Sequence, residues 1–280
     1  MRYGAPIWPG DRNIWENIAM YYAAGFNYIE VSLDYPWAWS VDSNVLDLLR
    51  KAMREFGIKI AIHAPWRDIP YAGVYGELRM LVRRILDVVK KYAEQLEALY
   101  IVFHITSQEA YKIPSVKKAV EKSALESLGM ILKVLEGYNV CVENLPAGFG
   151  SSIEDLELLV REYKESCFCF DIGHAILSGL GRLCTINELS HCITAWIEAL
   201  GRYMYVAHVH DITNYNGIVH DHVMPGGGII NWEETCRILA RIPVKYVMIE
   251  MFLTGDLRRP LSSHYSRALD LVSKCWHSGG

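Results

Sequence analysis

Eight short apolar runs alternate with segments of helical spacing along the 280 residues of the chain, and each run stops at a polar, metal-ligand or turn residue. Short apolar runs bounded by turn residues are typical of buried strands, and strands that alternate with helices favour a parallel sheet. The predicted strands cover residues 3–7, 28–33, 58–63, 99–104, 139–143, 167–171, 203–208 and 245–250. The predicted helices cover residues 13–24, 45–56, 74–96, 116–135, 152–163, 186–200 and 232–240.

The alternation is not interrupted by a Ser/Gly-rich linker or a run of like charges. Because about 250 residues are typical of a (β/α)8 barrel, the sequence predicts a single-domain α/β fold, a (β/α)8 or TIM barrel, over residues 1–280. An open doubly wound sheet is the structural alternative. Against it, no GxGxxG or Walker-type loop follows any predicted strand, and the three glycines at 226–228 lack the required spacing.

The composition indicates a globular protein without a membrane span. Hydrophobic residues make up 51% of the chain, which is ample for a large core. The N-terminal residues lack an apolar signal segment and no apolar run approaches the roughly 18 residues of a membrane helix, so we expect a cytoplasmic protein. Seven cysteines form an odd set, which we interpret as buried free thiols of a reducing compartment. A net charge of −4 argues against general polyanion binding, although a local basic patch is compatible with it.

Metal-ligand side chains gather at the carboxyl ends of the predicted strands. In a barrel of parallel strands these ends lie at one face, where active sites are built. The run 167–175 shows the pattern, because Asp171 ends the strand, Gly173 allows a sharp turn and His174 follows. The set at this face comprises His63, His104, Glu143, Asp171, His174, His208, His210, Asp211 and Glu250, with His220, Asp221 and His222 in the loop after the seventh strand.

The residue types in this set indicate a metal site. Imidazole and carboxylate ligands together suit zinc, manganese, iron or cobalt rather than magnesium or calcium. One histidine at a strand end is more often a structural hydrogen-bonding group than a ligand, but a cluster of them at one edge favours ligation. His210 shares a strand face with His208, so the roles of ligand, supporting group and substrate contact all stay open for it. His191, His264 and His277 fall in helical or tail segments and receive no role.

The order of these motifs resembles that of the xylose isomerase-like barrel superfamily, which includes endonuclease IV and many sugar isomerases and epimerases. The motifs are HAP at strand three, His104 at strand four, EN at strand five, DxxH at strand six, HxxD at strand seven, a ligand pair before PGGG and a final Glu250. The metal positions that the resemblance implies are His63, His104 and bridging Glu143 for the first, Glu143, Asp171, His208 and Glu250 for the second, and His174, His220 and His222 for the third. Single-metal epimerases of the superfamily hold their ion at the second position.

The chain also departs from the endonuclease IV pattern. His220 stands where endonuclease IV usually has Asp, and Ile105 and Thr106 follow His104 in place of Pro-Gly. The loop that begins at Trp66 resembles the isomerase branch, although Trp66 stands at the position of an aromatic residue that can wedge into DNA. These differences favour the isomerase branch.

The leading hypothesis is a metal-dependent isomerase or epimerase of a sugar, sugar phosphate or polyol, with one to three divalent ions, zinc or manganese. The ion would chelate neighbouring substrate oxygens and acidify the C–H between them, and Glu143 and Glu250 would remove and return the proton as catalytic residues. The predicted contacts to this small carbohydrate are Glu30, Trp37, Trp66, His210 and Asp211. For Glu30, a polar residue of the barrel layer is an equal interpretation.

Two other functions stay open. One is an apurinic/apyrimidinic endonuclease with a multi-zinc cluster, for which alone DNA would be the partner; the other is a metal-storing or scaffold barrel without catalysis. The predicted basic residues near the mouth are few: Arg67, Lys112, Arg182, Arg258 and Arg259. The predicted aromatic rim consists of Trp37, Trp39, Trp66, Tyr71 and Phe149. This mixture favours a small polyhydroxylated substrate over duplex DNA, and the sequence leaves the oligomeric state open.

Overall fold

A closed barrel of eight parallel strands forms the centre of the molecule in the computed structural model, which describes residues 1–11 and 13–277. Its strands are β1 (Arg2–Ile7), β2 (Tyr28–Ser32), β3 (Lys59–His63), β4 (Ile101–Phe103), β5 (Val140–Glu143), β6 (Cys167–Asp171), β7 (Met204–Val209) and β10 (Tyr246–Ile249). Each strand pairs with its neighbours in chain order, and β10 closes the barrel against β1. The predicted (β/α)8 barrel is confirmed.

Helices cover the outside of the barrel. They are α1 (Ile14–Ala24), α2 (Ser43–Phe56), α3 (Leu78–Leu96), α4 (Lys117–Val134), α5 (Ile153–Glu162), α6 (Ile172–Gly179), α7 (Leu189–Leu200), α8 (Trp232–Leu239) and α9 (Ser262–His277). Residue-level signals set several ends: Ser152 Oγ accepts a hydrogen bond of 3.2 Å from the N–H of Asp155, as an N-cap does. None of the helices in the described part of the chain combines the length and apolar character that a membrane span needs.

The barrel interior is polar at the carboxyl ends of the strands and apolar in the layer beneath those ends. Its lower layer contains three buried tyrosines with small and aliphatic residues: Tyr28, Ala61, Tyr100, Val102, Cys141, Cys169, Val206, Tyr246 and Met248. The tyrosine rings pack edge to face or tilted, with centroids 5.2 to 5.9 Å apart. The larger apolar core fills the space between the strands and the helices. The polar side chains at the strand ends therefore pack next to a well-filled layer that contains three tyrosine rings.

A hairpin between the seventh and eighth barrel strands is absent from the sequence prediction. Its strands are β8 (Asp211–Tyr215) and β9 (Ile218–Val223), which pair antiparallel. Asn216 and Gly217 form its turn with φ of 53° and 80°, and positive φ at both positions is what a type I′ hairpin turn requires. The Asn-Gly pair was a usable signal for the hairpin. Helices α6 and α9 are also absent from the prediction, and α7 begins at Leu189 rather than at residue 186.

The cysteine prediction is wrong for six of the seven thiols. Disulfides join Cys141 to Cys167, Cys184 to Cys192 and Cys236 to Cys275, and Cys169 alone is free and buried. The first pair lies in register on neighbouring strands β5 and β6, a proximity that spacing along the chain does not reveal. The argument from free thiols to a reducing compartment therefore does not hold.

Candidate metal centre

The carboxyl ends of six barrel strands bring their ligand-type side chains into one buried cluster. The side chains are His63 at the end of β3, His104 after β4, Glu143 at the end of β5, Asp171 at the end of β6, His208 in β7 and Glu250 after β10. Each of these residues is at most 8% exposed. Asp171 and His208 are direct register partners on β6 and β7. The predicted gathering of these residues at one face of the barrel is thus present.

Glu143 lies at the centre of the cluster. Its Oε2 is 3.4 Å from His63 Nε2, 3.2 Å from His104 Nε2 and 3.5 Å from His208 Nδ1, and its Oε1 is 3.2 Å from His174 Nδ1. His208 Nδ1 is also 3.0 Å from Glu250 Oε2.

Several buried ligand atoms in the cluster have no hydrogen-bond partner among the described residues. They are both carboxylate oxygens of Glu143, His104 Nε2 and His208 Nδ1. A buried polar atom without a partner is costly, and buried charges are normally paired or coordinate a metal. The unpartnered atoms are all of the kinds that bind zinc or manganese, so the residues present fit a divalent cation.

Four overlapping groups of ligand atoms could each hold an ion, and three of them consist of histidines and carboxylates alone. Within each group the atoms lie within 4.8 Å of one another. Those three groups are His63, His104 and Glu143; Glu143, Asp171, His208 and Glu250; and Asp171, His174 and His222. The first two match the predicted positions, and the third contains Asp171 where the prediction had His220. A fourth group adds the Cys169 thiol to Glu143 and His208.

Backbone carbonyls set the orientation of two histidines. His63 Nδ1 lies 2.9 Å from the carbonyl oxygen of Ala64, and His174 Nδ1 lies 3.0 Å from that of Asn144. A carbonyl oxygen only accepts, so each Nδ1 carries a proton, and when the ring loses its second proton the Nε2 lone pair is the one offered to a metal ion. The side chain of Asn144 exchanges two hydrogen bonds of 2.8 Å with the backbone of Asp171, which joins the ends of β5 and β6.

His210 supports Asp171. The Nε2–H of His210 donates to the two oxygens of Asp171 at 3.1 and 3.0 Å, while its Nδ1 accepts a hydrogen bond of 2.9 Å from the N–H of His222. Asp171 Oδ1 also accepts from the N–H of His174 at 2.6 Å and caps α6. Gly173 lies within α6, and a Cβ at this position would overlap the His210 ring. Gly173 is therefore needed for the close approach of His210, and the predicted sharp turn is wrong.

Charges within the cluster shift the pKa values of its members. Burial lowers the pKa of His63, but the close and negatively charged Glu143 carboxylate outweighs it and raises the pKa to about 9. Burial also lowers the pKa of His174, and the neighbouring carboxylates raise it to about 10. Burial raises the pKa of Glu143, yet the charges of His104 and His208 hold it well below its ordinary value. Protons on the histidines thus balance the buried carboxylates, and a divalent cation can take their place.

Glu30 and Asp211, two of the predicted substrate contacts, are engaged with the protein itself. Glu30 is 2% exposed and its Oε2 lies 3.2 Å from His208 Nε2. Asp211 is fully buried, and its carboxylate accepts hydrogen bonds from the N–H groups of Ile212, Gly226 and Ile230 at 2.8 to 3.0 Å. It also accepts a hydrogen bond of 2.7 Å from the indole Nε1–H of Trp232. Asp211 therefore anchors the glycine-rich loop that follows the hairpin.

The predicted aromatic rim is wrong for three of its five members. Trp37, Tyr71 and Phe149 are at most 5% exposed and lie in the hydrophobic core. Trp39 is 51% exposed, and Trp66 lies 5.3 Å from the His104 ring.

Two aromatic residues that the sequence analysis passed over border the centre. Trp8 packs edge to face with Trp66 and with Phe252, at centroid distances of 6.5 and 5.0 Å. Phe252 stacks on the His222 ring at 5.1 Å. Both residues closely follow strand ends, at β1 and β10, and that position was the signal that could have identified them.

Comparisons with known proteins place these features in context. A family model described as xylose isomerase-like TIM barrel matches residues 18–274. No curated protein matches the sequence significantly. Among solved structures, a D-tagatose 3-epimerase-like protein has 19% sequence identity and a TM-score of 0.77, with 100% of this chain and 98% of that chain covered. D-psicose 3-epimerase from Clostridium cellulolyticum has 18% identity and a TM-score of 0.74, with 99% of each chain covered. Endonuclease IV from Thermus thermophilus has 18% identity and a TM-score of 0.66, with 99% of this chain and 100% of that chain covered.

Proposed function

Because the chain belongs to the xylose isomerase-like TIM barrel family, we propose that it is a divalent-metal-dependent isomerase or epimerase of a sugar, sugar phosphate or polyol. One observation carries this proposal: Glu143 and Glu250 both approach His208 Nδ1, at 3.5 and 3.0 Å. Their strands, β5 and β10, lie on opposite sides of β7 in the barrel. Two buried carboxylates thus flank one ion position.

This arrangement suits a proton transfer at carbon. A bound divalent ion would chelate two neighbouring substrate oxygens and make the C–H between them more acidic. Glu143 and Glu250 would then act as the base that removes the proton and the acid that returns it from the other side. The base must be ionised, and the pKa values of both carboxyl groups lie below the ordinary value because the charges of neighbouring histidines, which include His208, outweigh the effect of burial. Either carboxylate can therefore serve as the base, and the one that acts as the acid first takes up a proton from solvent.

The ion pairs of the basic residues near the mouth also support a small substrate rather than DNA. Arg67 forms an ion pair with Asp34 and lies over the rings of Trp8 and Trp66, with its guanidinium carbon 4.7 and 4.5 Å from their centroids. Three other basic residues of the mouth form ion pairs, which are Lys112 with Glu109, Arg258 with Asp256 and Arg259 with Asp11. A protein that grips duplex DNA needs Lys and Arg groups free to neutralise phosphates.

A second candidate is an endonuclease IV-like hydrolase of abasic sites in DNA. The specific observation in its favour is that ligand groups flank the Glu143–Glu250 group on both sides, so up to three ions could be bound. Clustered ions suit phosphodiester hydrolysis, because they activate water and stabilise the leaving oxygen.

Two assays on metal-loaded protein test the proposal. We expect exchange of a substrate C–H proton with solvent deuterium, followed by NMR, for a ketose or ketose phosphate panel, and no incision of an abasic-site duplex at low salt. Glu143→Gln should lower the exchange rate by about 100-fold or more, since a general base contributes roughly that much. Glu165→Gln, a change at an exposed residue, serves as the matched control and should keep full activity.

The assays also identify the second candidate. Metal-dependent incision of the abasic duplex that Glu143→Gln abolishes would replace the isomerase with the endonuclease. Metal content by mass spectrometry adds a further criterion, because fewer than one ion per chain from metal-replete expression, with no binding on titration, would contradict both candidates.

A further inference from the structure

We infer that Glu30 is a positioning residue of the metal centre, which fixes His208 so that its Nδ1 faces the ion. The inference rests on the metal centre of the proposed function, but it is independent of which reaction takes place there. Sequence reasoning left Glu30 open between a substrate contact and a residue of the barrel layer. The structure places Glu30 in contact with His208, one of the proposed metal ligands.

The contact of Glu30 with His208 spans the barrel. Glu30 is in β2 and His208 is in β7, 178 residues apart, and Glu30 Oε2 lies 3.2 Å from His208 Nε2. The two residues are 2% and 0% exposed, so water does not compete for the hydrogen bond. Because the carboxylate accepts, Nε2 carries the proton in the neutral imidazole that metal binding requires, and Nδ1 then offers its lone pair. That Nδ1 lies 3.0 Å from Glu250 Oε2 and 3.5 Å from Glu143 Oε2, within the proposed ion position.

A buried tyrosine holds Glu30 from the other side. The hydroxyl of Tyr100 lies 2.6 Å from Glu30 Oε2 and 3.0 Å from the hydroxyl of Tyr28. A hydroxyl has one proton, and the shorter contact to the carboxylate is the stronger one, so Tyr100 donates to Glu30 and accepts from Tyr28. Burial and the charge of Glu30 raise the pKa of Tyr100 well above its ordinary value, so Tyr100 keeps the proton that it donates.

These contacts form one chain of hydrogen bonds through the barrel, from Tyr28 to Tyr100, Glu30 and His208. A carboxylate that binds the outer N–H of a metal-ligating histidine fixes its tautomer and ring orientation and raises its basicity. Loss of such a partner typically weakens metal binding about 10- to 100-fold. Oε2 of Glu30 is occupied by Tyr100 and His208, and the 2% exposure of Glu30 leaves little surface for a substrate contact.

The test measures zinc affinity by chelator competition, together with side-chain NMR of His208 in the zinc-loaded protein. In the wild type we expect a metal-bound Nδ1 and a protonated Nε2. Glu30→Ala should weaken zinc binding about 10- to 100-fold and shift the His208 resonances. Tyr100→Phe should have a smaller effect in the same direction. Tyr246→Phe removes a hydroxyl from the same buried layer that is not part of this chain of hydrogen bonds, and it is the matched control, with unchanged zinc affinity.

Glu30→Gln keeps the inference testable if Glu30→Ala does not fold. Its amide oxygen still accepts from Nε2–H without the charge, so the tautomer should persist while zinc affinity falls by less than in Glu30→Ala. Wild-type zinc affinity in folded Glu30→Ala and Glu30→Gln would overturn the inference and leave the proposed function intact. A wild-type protein that binds no metal would overturn both.

Discussion

At the scale of single residues, His220 and His222 lie two positions apart in β9 but have different surroundings. Strand alternation would place both on the same face of β9. His222, however, has a φ of 53°, which breaks the alternation at this residue. Its ring stacks on His210 at a centroid distance of 4.3 Å and belongs to the ligand group with Asp171 and His174. His220 is half-buried and belongs to none of the ligand groups found among the described residues.

The first prediction follows from this difference. We expect His222→Ala to lower the number of zinc ions bound per chain, because it removes a ligand of the group with Asp171 and His174. His220→Ala, two residues away in the same strand, is the matched control and should leave the number unchanged. Mass spectrometry of metal-loaded proteins measures both. A lower metal count in His220→Ala would restore His220 to the third metal position.

At the scale of elements, the glycine-rich loop after the hairpin shows how a buried carboxylate organises a backbone. Asp211 accepts hydrogen bonds from three backbone N–H groups and one indole, which holds the loop against β8. Gly228 lies so close to this anchor that a Cβ there would overlap the Asp211 carboxylate and the Ile212 carbonyl oxygen. The loop therefore reaches its position only with glycine at 228.

We predict that Gly228→Ala destabilises the protein by roughly 1–3 kcal/mol, the usual cost of an added methyl group in a packed site. Gly76→Ala is the matched control, because its Cβ would meet only an Arg79 nitrogen at an ordinary 3.8 Å. Thermal unfolding followed by circular dichroism compares the two variants. An unchanged Tm in Gly228→Ala would show that the loop gives way without cost.

At the scale of the whole molecule, metal binding is coupled to protons. The pKa values of His63 and His174 are raised to about 9 and about 10, so both groups are protonated at pH 7 before a cation binds. A histidine must be neutral to ligate a metal, whereas the pKa values of Glu143, Asp171 and Glu250 are lowered and these groups are already ionised. Binding of a cation must therefore expel protons from the centre.

We predict that zinc titration at pH 7 releases protons from the protein, and that the release declines as the pH rises through 9 to 10. Calorimetry in two buffers of different ionisation enthalpy measures the number released. Chelation should also lower Tm, since a ligand that binds only the folded state stabilises it by about 2.7 kcal/mol at 100 times its Kd. A binding enthalpy that is independent of the buffer would contradict the coupling.

The sequence by itself determined the barrel and the gathering of ligand-type side chains at one of its faces. Both depend on local pattern: apolar runs predict strands wherever they occur, and parallel strands place their carboxyl ends at one face. His63, Glu143 and Asp171 could therefore be identified from their positions at strand ends alone. The Asn216–Gly217 turn was equally local and could have revealed the hairpin.

Only the tertiary structure decided how these residues act on one another. The hydrogen bond between Glu30 and His208 joins strands on different sides of the barrel, and the disulfide between Cys141 and Cys167 depends on the register of two neighbouring strands. Whether an aromatic residue such as Trp37 turns into the core or towards the mouth depends on the packing of neighbouring loops. Local periodicity specifies which element a residue belongs to, whereas contacts between distant segments specify its partner and its role.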